Sequence, residues 1–324
     1  MTRKEIEGHC AMFSANFMWG LMSPFAKFVI LGGIVTPLVI TNLRIAGAMV
    51  LFWFTSLFQK QEKMPPKDLL RLFGAALLGV IFNQGCFIFG VGMTSPTDAS
   101  IITTSMPLWV MILAAFILKE PITAMKIGGI VAGAAGALLL ICGNSAAANA
   151  PEVSNPNAVW GDLLVLAAQL SYALYIVIYK DFVNKYSLVT IMKWMFTYSF
   201  VIALPFSADE LIHTQWSALN WPEIGSLIFI VVGATYLTYA LVVVGQKNLR
   251  PTVAGMYNYI QPIVACIVAI TLGMDTFSLQ KLFAVLLIFF GVCLVTRSKS
   301  RRQMLDERKH HAPAHQIQTA TTKG

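Results

Sequence analysis

Apolar residues follow one another along the chain in long runs that short clusters of charged residues, glycine or proline interrupt. Most runs hold about twenty residues, and a helix of that length crosses the roughly 30 Å hydrocarbon core of a bilayer. Only helices and closed barrels satisfy their backbone polar groups in lipid. The pattern therefore predicts ten membrane-spanning helices, at residues 11–30, 37–58, 69–92, 98–118, 125–142, 159–179, 188–206, 223–244, 252–272 and 279–296.

The composition agrees with an all-α integral membrane protein. Hydrophobic residues make up 57% of the 324 residues and charged residues only 12%, whereas soluble domains carry about 25% charged residues. The five cysteines show no metal-ligand or CxxC spacing, and no GxxxxGK[ST] or HExxH motif occurs. We therefore predict no metal site, no cofactor and no ATP-driven step.

The positive charges indicate the orientation. If the N-terminus is inside, 19 of the 23 lysines and arginines lie on the inner face, and segments 143–158 and 207–222 hold none. Cytoplasmic loops are rich in lysine and arginine, so both termini are expected in the cytoplasm of a multi-pass protein, most simply in a bacterial inner membrane. The net charge of +8 is thus explained by membrane topology and does not indicate nucleic acid.

The two halves of the chain resemble each other. SPTDASIITTSMP (95–107) aligns with RPTVAGMYNYIQP (250–262) at a constant offset, and Gly90 pairs with Gly245 in the same register. Near the start of each half, Gly8 pairs with Gly161. Each half holds five spans, an odd number, so the second must be inverted in the membrane. Inverted repeats are typical of secondary transporters, with the substrate near the midplane.

The repeat predicts four segments along the chain. They are a first five-helix repeat at 1–142, an outer loop at 143–158, a second five-helix repeat at 159–297 and a basic cytoplasmic tail at 298–324. The tail should lie along anionic membrane lipids.

Three motifs resemble those of the EamA-type permeases of the drug/metabolite transporter superfamily. Trp19-Gly20 is followed by Lys27 in the first span, Arg44 precedes IAGA in the second, and PLWVMILAAFILKEPIT lies in the fourth. The resemblance covers about residues 8–297. It implies ten helices, a central cavity, alternating access and export of metabolites or amino acids from a bacterial cytoplasm.

Polar residues inside the spans are the candidates for a substrate site. Asn16, Trp19, Ser23 and Lys27 share one helical stripe. Such groups face inward, either bonded to another helix or lining a cavity. The candidate cavity residues are Asn16, Trp19, Ser23, Lys27, Arg44, Asn83, Gln84, Gln169, Tyr172, Lys193, Tyr236, Tyr239, Tyr257, Asn258 and Gln261.

Embedded cations allow two interpretations each. Lys27, like its counterpart Lys180, either reaches the headgroups or serves as a substrate or gate residue. Arg44 lies roughly 10 Å inside its span by helix rise, so it faces the cavity or pairs with a carboxylate, for which Asp98 is the candidate. Lys193 is intermediate between these cases.

Prolines and glycines suggest how the helices bend and pack. We expect bends at Pro24, Pro107 and Pro262, because proline removes a backbone hydrogen bond. The GxxxG of Gly129 and Gly133 favours close packing within the chain over the alternative, a homodimer interface.

Secondary transport of small molecules is the favoured function, with export of amino acids or related anionic or zwitterionic compounds preferred. Organophosphate or nucleotide-sugar exchange is an alternative, and a non-transporting scaffold or an intramembrane enzyme would be a different class. No carboxylate or histidine lies near the centre of a span. We therefore expect facilitated flux, or coupling through a peripheral carboxylate.

Cysteine labelling tests the topology. Because the segments 143–158 and 207–222 are expected outside, single cysteines there should react with an impermeant reagent added to intact cells. Labelling of the 59–68 segment in their place would contradict the orientation.

Overall fold

The computed structural model describes residues 3–117, 124–148, 157–179, 182, 185–249, 257–276 and 278–297, which form helices joined by short links. We number the helices along the chain. The helices are α1 (Arg3–Leu31), α2 (Pro37–Leu57), α3 (Pro66–Met93), α4 (Pro96–Ile117), α5 (Ala124–Ala148), α6 (Ala158–Ile178), α7 (Leu188–His213), α8 (Trp221–Ile228, continued by Phe229–Leu237 and Thr238–Asn248), α9 (Tyr257–Tyr259, continued by Ile260–Thr271) and α10 (Leu279–Arg297).

Six of these helices are long and apolar enough to cross a bilayer within the described residues. They are α2, α3, α4, α6, α7 and α8 up to Gly245, and shorter apolar stretches lie in α5, α9 and α10. The expected all-helical membrane protein fold is therefore present.

Several helix ends differ from those expected. α5 continues to Ala148, and α7 passes through Pro205 to His213, so helix occupies the start of both predicted outer segments. The end of α7 is polar, but its Ser207 accepts a hydrogen bond from Asn42 of α2 and its Glu210 accepts one from Thr36. These tertiary partners hold the helix beyond the apolar run. The residues 149–156, Lys180 and the tail 298–324 lie outside the described residues.

At four helix starts a capping side chain precedes proline or the first turn. Thr36 caps α2 and Ser95 caps α4, each followed directly by proline, and Ser187 caps α7. Asn220 forms a capping box with Glu223 at the start of α8. These side chains bond backbone N–H groups that the helix leaves unpaired.

Contacts between helices follow one pattern in both halves. α1 packs against α8 and α9, and α6 packs against α3 and α4, while α2 packs on α7 and α5 on α10. If α1 to α5 are exchanged with their counterparts α6 to α10, the same set of packed pairs results.

Contacts between helix termini define two ends of the bundle. At the Lys27 end, the end of α3 meets Lys27 of α1 and Asp162 of α6, and Asp98 at the start of α4 meets Lys281 of α10. At the opposite Lys185 end, the start of α3 contacts the link that precedes α7. α1 finishes at the Lys27 end, whereas its counterpart α6 begins there.

Irregular helix also falls at corresponding places. α3 contains a π-helical segment at Leu77–Phe82, and α8 contains one at Phe229–Leu237. α4 is interrupted by a turn between Thr103 and Met106, just before Pro107, and α9 begins with the 3-10 turn Tyr257–Tyr259, just before Pro262. α1, in contrast, continues as an α-helix through Pro24.

The glycines of α5 face α10 of the same chain. A Cβ atom added to Gly291 would lie 2.5 Å from the backbone oxygen of Gly129 and 2.7 Å from the backbone nitrogen of Gly133. The two backbones therefore approach as closely as a small-residue motif allows. The GxxxG stripe is used for packing inside the chain.

This contact predicts the effect of a larger residue. Gly291→Val should separate α5 from α10 and lower stability by about 1–3 kcal/mol, seen as a lower thermal midpoint of the detergent-solubilised protein. Gly85→Ala is the control, because a Cβ there meets nothing within 4 Å. Equal midpoints for both variants would contradict the close contact.

Candidate functional site

A cavity opens among α1, α2, α3, α4, α6, α8 and α9. It encloses about 820 Å³ of space free of protein atoms, counting its open mouth. Its walls combine aromatic, amide and hydroxyl side chains with one arginine. The lining residues are Trp19, Met22, Arg44, Asn83, Gln84, Phe87, Ser100, Thr103, Thr104, Met106, Gln169, Tyr172, Tyr239, Asn258 and Gln261.

The cavity lies between two apolar clusters of the bundle. One cluster, at the Lys27 end, includes Val29 and Val91 and packs against Trp19. The other, toward the Lys185 end, includes Phe52 and Phe196 and packs against Tyr172 and Tyr239. The polar side chains of the lining therefore lie between two apolar layers of the bundle.

The structure brings together nine of the candidates from the sequence. Those that line the cavity are Trp19, Arg44, Asn83, Gln84, Gln169, Tyr172, Tyr239, Asn258 and Gln261. Sequence reasoning missed Ser100, Thr103 and Thr104 of α4, and the apolar residues Met22, Phe87 and Met106. The spacing of the three hydroxyl residues at i, i+3 and i+4, which predicts one helical face, was an available signal.

Arg44 is the charged residue of the lining. Its side chain is 4% exposed, and its Nε donates to Thr235 Oγ1 at 3.0 Å, whose hydroxyl in turn donates to the backbone oxygen of Ile230. Its buried Nη1 has no hydrogen-bond partner among the described residues. A buried cation normally faces a partner or a cavity, and this one faces the cavity.

Of the two interpretations of Arg44, the pairing with Asp98 is wrong. Asp98 lies 3.3 Å from Lys281 Nζ of α10. Asp98 is in the first turn of α4 at the Lys27 end, whereas Arg44 lies deeper and points toward the π segment of α8. Arg44 and Asp98, which the sequence suggested as partners, therefore lie at different depths along the helix bundle.

Two amides have their orientation set by backbone carbonyls. Asn83 Nδ2 donates to Ala168 O at 3.0 Å. Asn16 Nδ2 donates to Met12 O at 2.8 Å, so Asn16 Oδ1 must accept, and it receives a bond from Gln261 Nε2 at 2.7 Å. Because a carbonyl oxygen can only accept, Asn83 Oδ1 and Gln261 Oε1 remain as acceptors in the cavity wall. Asn16 is fully buried behind that wall and positions Gln261.

Lys27 lies at the Lys27 end of α1, and Ser23 lies one helical turn nearer the cavity. The Lys27 ammonium donates to the backbone oxygens of Gly92 and Thr94 at 2.8 and 3.0 Å. These carbonyls close α3, and a helix leaves its last carbonyls without helical donors. Ser23 bonds the hydroxyl of Ser100, which lines the cavity, at 2.8 Å.

The other three candidates are engaged outside the cavity. Lys193 donates to Ser56 Oγ and Gln61 Oε1 at 2.8 and 3.0 Å, and its ammonium lies 4.8 Å from the ring centre of Trp53. Tyr236 bonds Thr55, and Tyr257 bonds His9. These contacts join helices and do not form part of the lining.

A polar cluster lies near the helix starts at the Lys185 end. Asp68 accepts hydrogen bonds from Lys185, at 2.7 Å, and from Tyr186. The bond to Asp68 raises the pKa of the Lys185 ammonium. Burial acts to raise the pKa of the Glu62 carboxyl, but hydrogen bonds from the Ser187 backbone and from the Thr190 and Ser187 hydroxyls lower it overall.

Aromatic rings complete the cavity wall. Trp19 meets Tyr239 edge to face, with ring centres 6.5 Å apart, and Tyr172 lies against Tyr175. Ring faces can hold a cationic or apolar group. No group of histidine, cysteine and carboxylate side chains suited to a metal ion occurs among the described residues. The wall thus presents aromatic faces, amide and hydroxyl groups and one guanidinium.

Comparison with known proteins gives consistent matches over most of the chain. The sequence model of the EamA-like transporter family matches residues 6–142 and again residues 159–297. The uncharacterized transporter YetK of Bacillus subtilis is 24% identical over 265 residues, which cover 79% of this chain and 77% of that protein. The uncharacterized inner membrane transporter YedA of Escherichia coli is 25% identical and covers 89% of this chain, with 90% of its own length matched.

An archaeal relative and one crystal structure extend the comparison. An uncharacterized transporter of Archaeoglobus fulgidus is 25% identical over 87% of this chain and 95% of its own length. One protein of known crystal structure superimposes with a TM-score of 0.61 at 16% identity, covering 91% of this chain and 99% of that chain. At that identity the likeness concerns the fold alone.

The relay from Met12 through Asn16 to Gln261 predicts a coupled effect. Asn16→Leu leaves the Gln261 amide without its acceptor, which costs about 1–3 kcal/mol, seen as a lower thermal midpoint in detergent. The double variant Asn16→Leu/Gln261→Leu should recover part of that loss, because it removes both polar groups. Additive losses in the double variant would contradict the coupling.

Proposed function

The chain belongs to the EamA-like transporter family and is a multi-pass membrane transporter; from this premise we propose that it exports amino acids or related anionic and zwitterionic metabolites by alternating access. The observation that carries the substrate class is the Nη1 of Arg44, buried in the cavity wall without a partner among the described residues. A carboxylate supplies the geometry that a guanidinium binds best.

The charge of the cavity selects against cations. None of its lining residues is an aspartate or a glutamate. Two unit charges at 4 Å interact by about 4 kcal/mol at an effective dielectric constant of 20, so Arg44 attracts an anionic group and repels a cationic drug by comparable amounts. Substrates that carry a carboxylate are therefore favoured.

An amino group has its own partners in the same cavity. Asn83 Oδ1 and Gln261 Oε1 are acceptors by virtue of the bonds their amide nitrogens make. The Trp19 and Tyr239 rings add faces that attract an ammonium. Donors from Arg44 and acceptors from these amides suit a zwitterion.

Organophosphate or nucleotide-sugar exchange is the less favoured alternative. Phosphate recognition commonly uses several cations, and the other embedded cations are already bonded: Lys27 to backbone carbonyls and Lys193 to Ser56 and Gln61. A non-transporting scaffold or an intramembrane enzyme agrees less well with relatives that are named transporters.

Ten spans in two inverted repeats, divided at 1–142, 143–158, 159–297 and 298–324, form the proposed architecture. It is supported by the two family matches, the exchangeable helix contacts and the opposite directions of α1 and α6. From the charge distribution we propose in addition that both termini lie in the cytoplasm and that the Lys27 end lies outside. A bacterial inner membrane is the proposed location, and the E. coli relative carries that location in its name.

Purified protein in liposomes tests the substrate class. Vesicles loaded with single radiolabelled neutral or acidic amino acids should lose them faster than protein-free vesicles, while vesicles loaded with an organic cation should not. A requirement for substrate on the opposite side would indicate exchange. Selective movement of the cation, with no amino acid moved, would overturn the proposal.

Arg44→Gln should lower efflux of the identified substrate by about tenfold or more, the factor that corresponds to a loss of roughly 1.4 kcal/mol. Lys193→Gln is the matched control, since it removes another buried cation that lies outside the cavity lining. Lys281 is unsuitable as a neutral control because it is buried between two carboxylates.

Flux in both variants must be normalised to the amount of folded protein. Equal flux for Arg44→Gln and the native chain would exclude Arg44 from substrate binding. Lys27→Ala should also slow transport, but through loss of the contacts that hold the end of α3.

A further inference from the structure

α4 presents three hydroxyl side chains to the cavity within little more than one helical turn: Ser100, Thr103 and Thr104. A hydroxyl group carries one hydrogen and two lone pairs. Where that hydrogen is already donated inside the protein, the oxygen can only accept a bond from a ligand. The partners of these three hydroxyls therefore decide what the α4 face of the cavity can bind.

Both threonines donate their hydrogen to their own helix. Thr103 Oγ1 donates to the backbone oxygen of Ala99 at 2.6 Å, and Thr104 Oγ1 donates to that of Ile101 at 2.7 Å. Bonds of this kind to the preceding turn are common for threonine in helices. Each threonine oxygen thus remains an acceptor, and Thr103 is the more exposed of the two, since Thr104 is only 3% exposed.

The serine of the same face is also an acceptor. Ser23 of α1 donates to the backbone oxygen of Pro96 at 3.1 Å and lies 2.8 Å from Ser100 Oγ. Because Ser23 has a single hydroxyl hydrogen, the hydrogen between the two serines must come from Ser100. The Ser100 oxygen can then only accept a bond from a ligand.

Two amide oxygens of neighbouring helices have the same character. Asn83 Oδ1 and Gln261 Oε1 are acceptors, because their amide nitrogens donate to Ala168 and Asn16. α4 packs directly against α9, the helix of Gln261, and against α6, the helix of Ala168. We call the α4 hydroxyls and these two amide oxygens the acceptor side of the cavity.

The guanidinium enters the cavity from another side. Arg44 belongs to α2, which packs on α7, α8 and α3, whereas α4 packs mainly on α6, α9 and α1. Tyr239 of α8 lies close to Arg44 and packs against the apolar cluster toward the Lys185 end. Ile101 and Ile102 of α4 belong instead to the cluster at the Lys27 end. A ligand that spans the cavity therefore meets N–H donors on one side and oxygen acceptors on the other.

We propose that the acceptor side binds a primary ammonium group, and that Thr103 is a specificity-determining residue which takes its third N–H bond. A primary ammonium has three N–H donors and no acceptor. Asn83 Oδ1, Gln261 Oε1 and Thr103 Oγ1 supply three neutral oxygens for them. Hydrogen bonds from a charged donor are stronger than those between neutral groups.

This inference rests on the proposed export of amino acids and narrows its substrate class. Arg44 alone would accept any small carboxylate, including a deaminated or an N-acylated acid. The acceptor side adds a requirement for a free primary amino group, because buried acceptors without a donor disfavour binding of an analogue that lacks one. The substrates are then zwitterionic amino acids with an unmodified amino group.

Isothermal titration calorimetry of the full chain purified in detergent tests the ammonium site. The probes are alanine, leucine, phenylalanine and glutamate, each compared with its N-methyl derivative and with its deaminated acid (propanoate, 4-methylpentanoate, 3-phenylpropanoate and glutarate). For an amino acid that binds, the deaminated acid should bind at least about a hundredfold more weakly, since three acceptors lose their donors. The N-methyl derivative, which has two N–H donors, should bind about tenfold more weakly.

Variants of Thr103 test its role separately. Thr103→Val keeps the shape of the side chain and removes its oxygen, so it should weaken binding of the amino acid about tenfold and bring the ratio of primary to N-methyl affinity close to one. The affinity for the deaminated acid should not change. A general loss of structure would weaken all three ligands alike and leave that ratio unchanged.

Two further variants complete the comparison. Thr103→Ser keeps the hydroxyl and should keep the native ratio. Thr41→Val is the matched control and should also keep it, because the Thr41 hydroxyl donates in the same way to the backbone oxygen of Pro37, four residues earlier, but Thr41 lies outside the cavity lining.

The outcomes separate this inference from the proposed function. Equal binding of an amino acid and its deaminated acid would overturn the ammonium site and leave export of anionic metabolites standing. A ratio that Thr103→Val leaves at its native value would overturn the role of Thr103. If none of the four amino acids binds, amino acid export fails together with this inference. If Thr103→Val does not accumulate, Thr103→Ala removes the same oxygen and takes its place in the comparison.

Discussion

A polar group in the hydrocarbon core has no water to bind, and this constraint governs where the described polar side chains inside the spans lie. Asn42, Ser171 and Thr238 bond a neighbouring helix or a backbone carbonyl. Arg44, whose buried Nη1 has no hydrogen-bond partner among the described residues, lines one cavity together with several amide and hydroxyl side chains. The cavity is thus the place where the helix bundle can leave hydrogen-bonding capacity for another molecule.

Buried cations show how the same residue type serves different purposes. Lys27 completes the carbonyl end of α3, Lys193 joins α7 to the end of α2, and Lys281 joins α10 to α4. Each of these ammonium groups is bonded to oxygen atoms of the chain. Arg44 differs, because a guanidinium has five N–H donors and Thr235 takes the bond from Nε.

The two halves supply unlike side chains from like positions. π-helical segments occur in both α3 and α8, close to Asn83 and Tyr239 of the cavity wall. π segments are frequent at functional sites, where they change the direction of side chains within a helix. Gly90 and Gly161 let α3 and α6 meet with backbone oxygens in close contact. Symmetric packing therefore surrounds a cavity whose chemistry is asymmetric.

The sequence by itself determined the helical character of the apolar runs as far as the structure describes them, the class of membrane transporter and nine of the cavity residues, because hydrophobicity and helical spacing are local properties. It could not determine where α5 and α7 end, since Ser207 and Glu210 depend on partners from α2. Nor could it decide that Asp98 faces Lys281 and not Arg44, or which amide oxygens remain as acceptors. Spacing along a helix identifies which residues share a face of that helix. Only tertiary packing decides which groups lie opposite that face. Those opposite groups decide whether a polar side chain is bonded within the protein or open to a ligand.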